Sequence, residues 1–415
     1  MNLTVNYSRI PDELETLAAF SDVPSPAVTR IVFSAQDLLA REWFKQLCVD
    51  ASLAVREDAV GNTFARWEGS DPDAPAIGTG SHIDAIPHSG RYDGTVGVLG
   101  GLEAIRALKR AGYQPARSIE LLLFTSEEPT RFGPGCLGSR LLTGSLDASV
   151  GETLRDSAGD TLNEVRATAG FTGGLETVRL ARDYYQAFVE LHIEQGPLLE
   201  RRGIPIGVVT AIAAPASLRI EIEGQGGHAG AVLMPDRHDA FLAAAEIALA
   251  IESAAKSTGA IDSVGTTGVC DIFPRVINGI PSRVHLEADI RDVDRARRDR
   301  MLASLEQTCA EVAHRRGVSI TQTFINRDDP ATCDPKLVEG IENACRTHGI
   351  AYERMVSRAY HDSLFMSRIC PAAMIFIPCR NGVSHRPDEY ASPEAIALGV
   401  QVLAETLAHL ASRLA

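Results

Sequence analysis

Two textures of hydrophobic patterning divide this chain. Over its first half and again near its end, uninterrupted apolar runs alternate with long stretches at helical spacing. That alternation predicts an α/β domain, with helices flanking a mostly parallel central sheet. The clearest runs are Ala76–His82, Ile119–Thr125, Ala187–Ile193 and Ala372–Ile377. Between the first two, Val98, Leu102, Ile105 and Leu108 fall on one helical face. They predict a helix over Thr95 to Arg110, closed by Gly112. From about Ala211 to Asn326 strict alternation takes over, in SLRIEIE (217–223) and VHLEADI (284–290). Strands of that kind keep one wet face and suit an antiparallel sheet. Asp239–Ser253 and Val293–Arg316 read as its two helices, so a β-α-β-α module covering one face of a sheet is expected. The predicted organisation is a discontinuous α/β domain, 1–210 and 327–415, with an α+β module inserted over 211–326.

Length agrees with two domains, since 415 residues exceed one ordinary core. The net charge of −14 argues against nucleic-acid or anionic-membrane partners, because neither attracts an acidic surface. Eight cysteines without a CxxC pair read as reduced thiols of a cytoplasmic protein rather than a disulfide framework. The opening MNLTVNYSRIPDELETL has no basic or apolar signal region, and no run is expected to reach membrane-spanning length.

Candidate chemistry gathers where the apolar runs stop. The first gives His82 and Asp84, with Asp93 on the loop beyond, and the second gives Glu127 and Glu128. The third gives His192 and Glu194, and the last leads through Asn381-Gly382-Val383-Ser384 to His385. Ligands of open α/β sheets bind at the carboxyl ends of strands, and imidazoles with carboxylates there are what a metal site needs. Any one of these histidines is as readily a satisfied polar residue, and one of the adjacent acids can turn to solvent. If both acids face a metal cleft, one can be a ligand and the other a base.

GSHID with YDG, TSEEPTRFG, HIEQGP and the late G-x-S-H resemble the metal-dependent amidohydrolases of the M20 peptidase clan, over essentially the whole chain. Branches of that clan include allantoate amidohydrolases, N-carbamoyl-L-amino-acid hydrolases and ureidoglycolate amidohydrolases. The ureidoglycolate branch is the most similar, on VREDAVGN, GSHIDAIPHSGRYDGTVGVLG, LFTSEEPTRFG with CLGSRLL, HAGAVLMPDR, and SRAYHDSLFM with IFIPCRNGVSH. Where the carbamoylases show Gly-x-Gly-His-Asp-Ala, this chain has Arg-Ala-Tyr-His-Asp-Ser, which favours the same branch.

The resemblance implies a homodimeric enzyme with two divalent cations per subunit, manganese or alternatively zinc. Asp93 would bridge them, His82 and His192 would complete one set, and Glu128 with His385 the other. Glu127 would be the general base, and Asp84 would hold the His82 imidazole from behind. Gln195, Tyr360 and His361 would line the substrate pocket. The module would serve as lid and dimer interface, where His228 polarises the scissile carbonyl in the partner's site. Asn278 and Arg291 would grip a small ureido carboxylate. By pattern alone Arg291 reads as a surface ion pair within DIRDVDR. The implied reaction is hydrolysis of the ureido amide of (S)-ureidoglycolate to glyoxylate, ammonia and carbon dioxide. Allantoate or N-carbamoyl-L-amino acids are the alternatives within the class. A non-catalytic metal-dependent binding or scaffold protein is the alternative outside it; the Glu127-Glu128 pair speaks against that, since binding needs no base.

Overall fold

The computed structural model describes residues 3–412 and divides into two compact units. One runs through Thr210 and resumes over Cys333–Met355 and from His361 onward; the other holds Ala211–Thr332 and Val356–Tyr360.

The sheet of the first unit is mixed, which corrects the expectation of a mostly parallel one. Its centre is parallel, in the order Ala372–Ile377, Tyr185–Ile193, Ala76–His82, Ile119–Phe124. Antiparallel strands flank it: Thr63–Trp67 and Ala54–Glu57 on one side, Ile206–Ile212 on the other. The central strands were visible as apolar runs because they are covered on both faces; Ala76–His82, Ile119–Phe124 and Ala372–Ile377 are buried throughout. The flanking pair is short, and Ala54–Glu57 is largely exposed, so no comparable run marked it.

Helix Thr95–Arg110 packs Val98, Leu102, Ile105 and Leu108 into the core, and Gly112 follows it at φ +72°. Burying each of those leucines contributes about 1.5–3 kcal/mol. Gly97 lets this helix approach the sheet, because a Cβ there would stand 2.4 Å from the Leu191 carbonyl oxygen. The last helix, Pro393–Ala411, corrects a second expectation: at 19 residues it is long and apolar enough to cross a membrane. It is nonetheless a core helix, with Ile396, Val400, Leu403 and Leu407 buried, and Gly399 seated against Ile377 and Leu191.

The second unit is a four-stranded antiparallel sheet in the order Val264–Phe273, Arg283–Asp292, Ala214–Glu223, Ser319–Arg327. Helices Ala240–Ser257 and Arg295–Arg316 cover one face. Leu218, Ile220, Ile222, Val284, Leu286 and Ile290 meet Ile247, Ile251, Leu302 and Leu305 there. Asp239 and Asp294 cap the two helices by accepting from Leu242 and Arg297 amides, and Gly317 at φ +63° ends the second. The chain order is therefore β-α-β-β-α-β rather than the β-α-β-α expected. The two strands that were missed lie at the sheet edges, where most of their side chains face solvent. Val356–Tyr360, expected with the α/β domain, groups with this unit instead.

Candidate metal centre

The parallel order of the central strands sets their carboxyl ends side by side and delivers His82, the Glu127-Glu128 loop, His192 and the loop to His385. Among the described residues three groups of donor atoms lie within 4.8 Å of one another: a buried Glu190, His192 and His361, and two that face each other across Asp93, namely His82, Asp93 and His192, and Asp93, Glu128 and His385. Asp93 belongs to both of the latter. Its Oδ1 lies 3.7 Å from His82 Nε2 and 3.2 Å from His192 Nε2. Its Oδ2 lies 3.2 Å from His385 Nε2, which is also 3.2 Å from Glu128 Oε1. Glu127 stands beside both groups and belongs to neither; its Oε2 is 3.6 Å from His82 Nε2.

The backbone is bent to achieve this. Ser126, Cys136, Gln195 and His385 all have φ between +53° and +59°, a region that side chains other than glycine occupy at some cost. Gly94, at φ +66°, admits the His82 ring, since a Cβ there would lie 2.4 Å from Nε2. The adjacent acids are aimed by Asp84, whose two carboxylate oxygens accept the Glu127 and Glu128 amides at 3.1 and 3.0 Å. That refines its expected role. The His82 Nδ1 partner at 3.0 Å is the Asp84 carbonyl oxygen, while the carboxylate is 3.7 Å away. His192 Nδ1 likewise meets the Ile193 carbonyl at 2.9 Å. Both contacts have Nδ1 donating to a main-chain carbonyl, which leaves Nε2 on the side of Asp93.

Burial works against charge on His82, but Glu127, Asp93 and Asp84 outweigh it and raise its pKa well above the usual imidazole range. Hydrogen bonds to Asp93 and Glu128 push His385 up to about 11. Burial alone would raise Asp93, yet His192, His385 and His82 hold it well below the usual carboxylate range. Glu127 is the opposite case: burial, with Glu128, Asp362 and Asp93 nearby, pushes it well above that range.

Of the remaining expected residues, Gln195 donates from Nε2 to Asp93 Oδ2 at 2.7 Å. His361 is buried, its ring centroid 4.5 Å from that of His192. Glu194 turns away and caps the next helix through the Leu198 and Leu199 amides. Pattern reasoning missed three buried acids. Glu190 accepts from Ser81 and Ser363. Asp362, raised to about 8 by burial and Glu190, accepts from Ser139. Glu389, raised to about 7 by burial and Asp93, joins two loops of the site. Each had one faint signal, its nearness in sequence to a histidine already singled out: Glu190 to His192, Asp362 to His361 and Glu389 to His385.

The second unit holds the other expected contacts in two places rather than one cluster: His228 and Asn278 lie beyond the Arg283–Glu223 end of its sheet, and Arg291 pairs with Pro215 at the opposite end. The pairing of Gly227-His228 with Gly279-Ile280, and the Ala229 amide on the Asn278 carbonyl at 2.9 Å, set His228 on one short strand and Asn278 in the turn that leads into its partner. His228 is exposed and its Nδ1 accepts the Gly230 amide at 3.0 Å, which leaves Nε2 as the donor of a neutral ring. Asp289 accepts from Arg291 Nε at 2.6 Å and from its terminal nitrogen at 3.2 Å. The same guanidinium lies 5.6 Å from the Tyr360 ring. The ion pair within DIRDVDR thus exists, and it orients the arginine.

Residues 78–409 match the model of peptidase family M20/M25/M40. The chain belongs to the M20 family. Within it, the chain is 54% identical over 412 residues to a ureidoglycolate hydrolase of Oryza sativa subsp. japonica, spanning 98% of this chain and 85% of that one. It is 51% identical over 416 residues to a ureidoglycolate hydrolase of Arabidopsis thaliana, spanning 99% and 87%. It superposes at a TM-score of 0.90 on AtUAH, 50% identical over 99% of this chain and 98% of that one, which has been solved with glyoxylate and with (S)-hydroxyglycine.

M20 enzymes are metal-dependent, and the residues here fit a cation. Imidazole nitrogens and carboxylate oxygens form the mixed set that divalent transition metals accept. The surplus of buried carboxylates that draws protons onto His82 and His385 is a field a cation relieves. Gln195 Oε1, buried at the same place, has no protein partner.

Proposed function

We propose that this chain hydrolyses the ureido amide of (S)-ureidoglycolate to glyoxylate, ammonia and carbon dioxide. What carries the proposal is likeness over nearly the whole chain to the two plant ureidoglycolate hydrolases. The four donors gathered around Asp93 support the metal dependence.

His82 and His192 would hold one divalent cation, Glu128 and His385 a second, and Asp93 both; manganese is the proposed metal, and zinc suits the same donors. When bound, the cations supply Lewis acidity toward water and the ureido carbonyl. The protein supplies the rest. Glu127 accepts a proton at its carboxylate from the attacking water and returns it to the departing ammonia. Asp84 keeps that carboxylate aimed by holding the Glu127 amide. His228 donates from Nε2 to the carbonyl oxygen as negative charge develops there. Arg291, oriented by Asp289, fixes the substrate carboxylate together with an Asn278 that, like the adjacent His228, comes from the other subunit, while Gln195, Tyr360 and His361 line the pocket. The carbamate formed loses carbon dioxide, and the hydroxyglycine left releases a second ammonia to give glyoxylate.

The enzyme is proposed to work as a homodimer in which His228 serves the partner's site, as two-fold symmetry allows. Product analysis tests the reaction: two ammonia and one glyoxylate should appear per (S)-ureidoglycolate consumed. Ammonia without glyoxylate would overturn the assignment. Mixing inactive E127Q and H228A subunits tests the sharing. Proven heterodimers should regain one working site, and inactive ones contradict it.

A further inference from the structure

Glu389 lies behind the candidate centre and makes no contact with a substrate in the mechanism above. Its carboxylate is buried and divides its two oxygens between two segments of chain. Oε1 accepts the Tyr92 and Asp93 amides at 2.7 and 3.1 Å. Oε2 accepts the Ser384 hydroxyl at 2.9 Å and the His385 amide at 3.3 Å. One side chain thereby ties the loop of Asp93 to the loop of His385, nearly three hundred residues apart.

The surroundings are shaped for this side chain. A Cβ at Gly90 would stand 2.4 Å from Glu389 Cδ and Oε1, so glycine there makes the room. Tyr92 and Tyr390 meet edge to face at 5.8 Å beside it. The Ser384 hydroxyl also lies 2.7 Å from Asp93 Oδ2, so it stands between the two carboxylates and its single proton serves one of them at a time. His385 sits at φ +59°, a conformation that needs its surroundings to hold it.

The other donors are anchored differently. His82 and His192 end adjacent regions of the parallel sheet and have Nδ1 fixed by main-chain carbonyls. Glu128 is held through its amide by Asp84. No strand ends at Asp93 or His385, the two donors that Glu389 joins.

We propose that Glu389 is a positioning residue that locks Asp93 and His385 together and so governs affinity at the Asp93, Glu128 and His385 position more than at the His82 and His192 position. The inference rests on the two-cation reading of the site. A glutamine at 389 keeps the shape but offers one acceptor oxygen, so one of the two loops would face an N–H donor.

The test uses the full-length protein loaded with Mn2+, dialysed against buffers of graded chelator strength, with bound manganese counted per chain. Wild type should retain two ions. E389Q should shed one of them at about 10–100-fold higher free Mn2+, the usual scale for a lost partner of a ligand, and keep the other as wild type does. Added Mn2+ should restore its turnover, which it would not do for a merely damaged fold. S384A, which removes one limb, should shift the same ion in the same direction by less, and it decides the matter if E389Q does not fold. Release curves of both variants that coincide with wild type overturn the role of Glu389 while leaving the centre intact. A wild type that retains no manganese overturns the centre and this role together.

Discussion

The two sheets of this molecule are built by different rules. The central strands of the first unit are buried almost from end to end, open only at Gln186, and most of the site's imidazoles and carboxylates gather where those strands stop. In the second unit every strand of the sheet has a wet face, and charged residues such as Arg219, Glu287 and Asp289 lie along it. A buried strand end withdraws carboxylates and imidazoles from water, so that they perturb one another strongly. On a wet face water screens such groups from one another, and orientation is what the fold can add to them. In the proposed reaction the first arrangement serves bond cleavage and the second substrate grip.

That contrast can be broken or sharpened by substitution. The largest effect is expected at Glu127. E127Q should lower kcat by about 10²–10⁴-fold, the usual contribution of a general base, with bound manganese and thermal stability retained. Loss of metal in parallel would move Glu127 from base to ligand. G94A comes next, because the added Cβ meets His82 Nε2 and the residue sits at φ +66°. A cost of about 1–3 kcal/mol in unfolding free energy is expected, together with weakened manganese binding. Unchanged affinity would show that the His82 ring has freedom the packing denies it.

R291K should act on the other unit in another way. Losing two oriented donors to a carboxylate costs about 2 kcal/mol, roughly thirtyfold in KM, with melting temperature unmoved. An equal fall in kcat alone would place Arg291 in the transition state rather than in substrate grip. The smallest effect is expected at Glu246, which accepts from Arg315 and Arg316 and is held down to about 2, chiefly by its hydrogen bond with Arg315. E246Q should cost only about 0.2–1 kcal/mol, since the partners are partly exposed. A depressed carboxylate stabilises the fold above its ordinary titration range, and that stability is lost as pH falls through about 2. The difference between E246Q and wild type should therefore close across that acid window.

The sequence was legible where burial imposes a pattern. Ala76–His82 and Ala372–Ile377 were visible as apolar runs, and the polar residues after them stood out against those runs. The antiparallel flanks were hidden because short or half-exposed strands resemble loops. On the second unit alternation revealed the inner strands, while the edge strands, wet on most sides, left no comparable mark. His228, Asn278 and Arg291 were legible only through resemblance, since a charged residue on a wet face is ordinary. Glu190, Asp362 and Glu389 escaped for a different reason. Each acts through hydrogen bonds across long stretches of chain, and pairing of that kind has no local pattern.

The central claim is that the buried strand ends of the first unit form a metal-dependent centre for one ureido substrate. Its most direct test is ammonia release by metal-stripped protein reloaded with manganese, measured against (S)-ureidoglycolate, allantoate and several N-carbamoyl-L-amino acids, with E127Q as control. Fast turnover of (S)-ureidoglycolate, little of the others, and none in E127Q is the predicted result. Turnover that survives in E127Q, or is indifferent to manganese, would contradict the account.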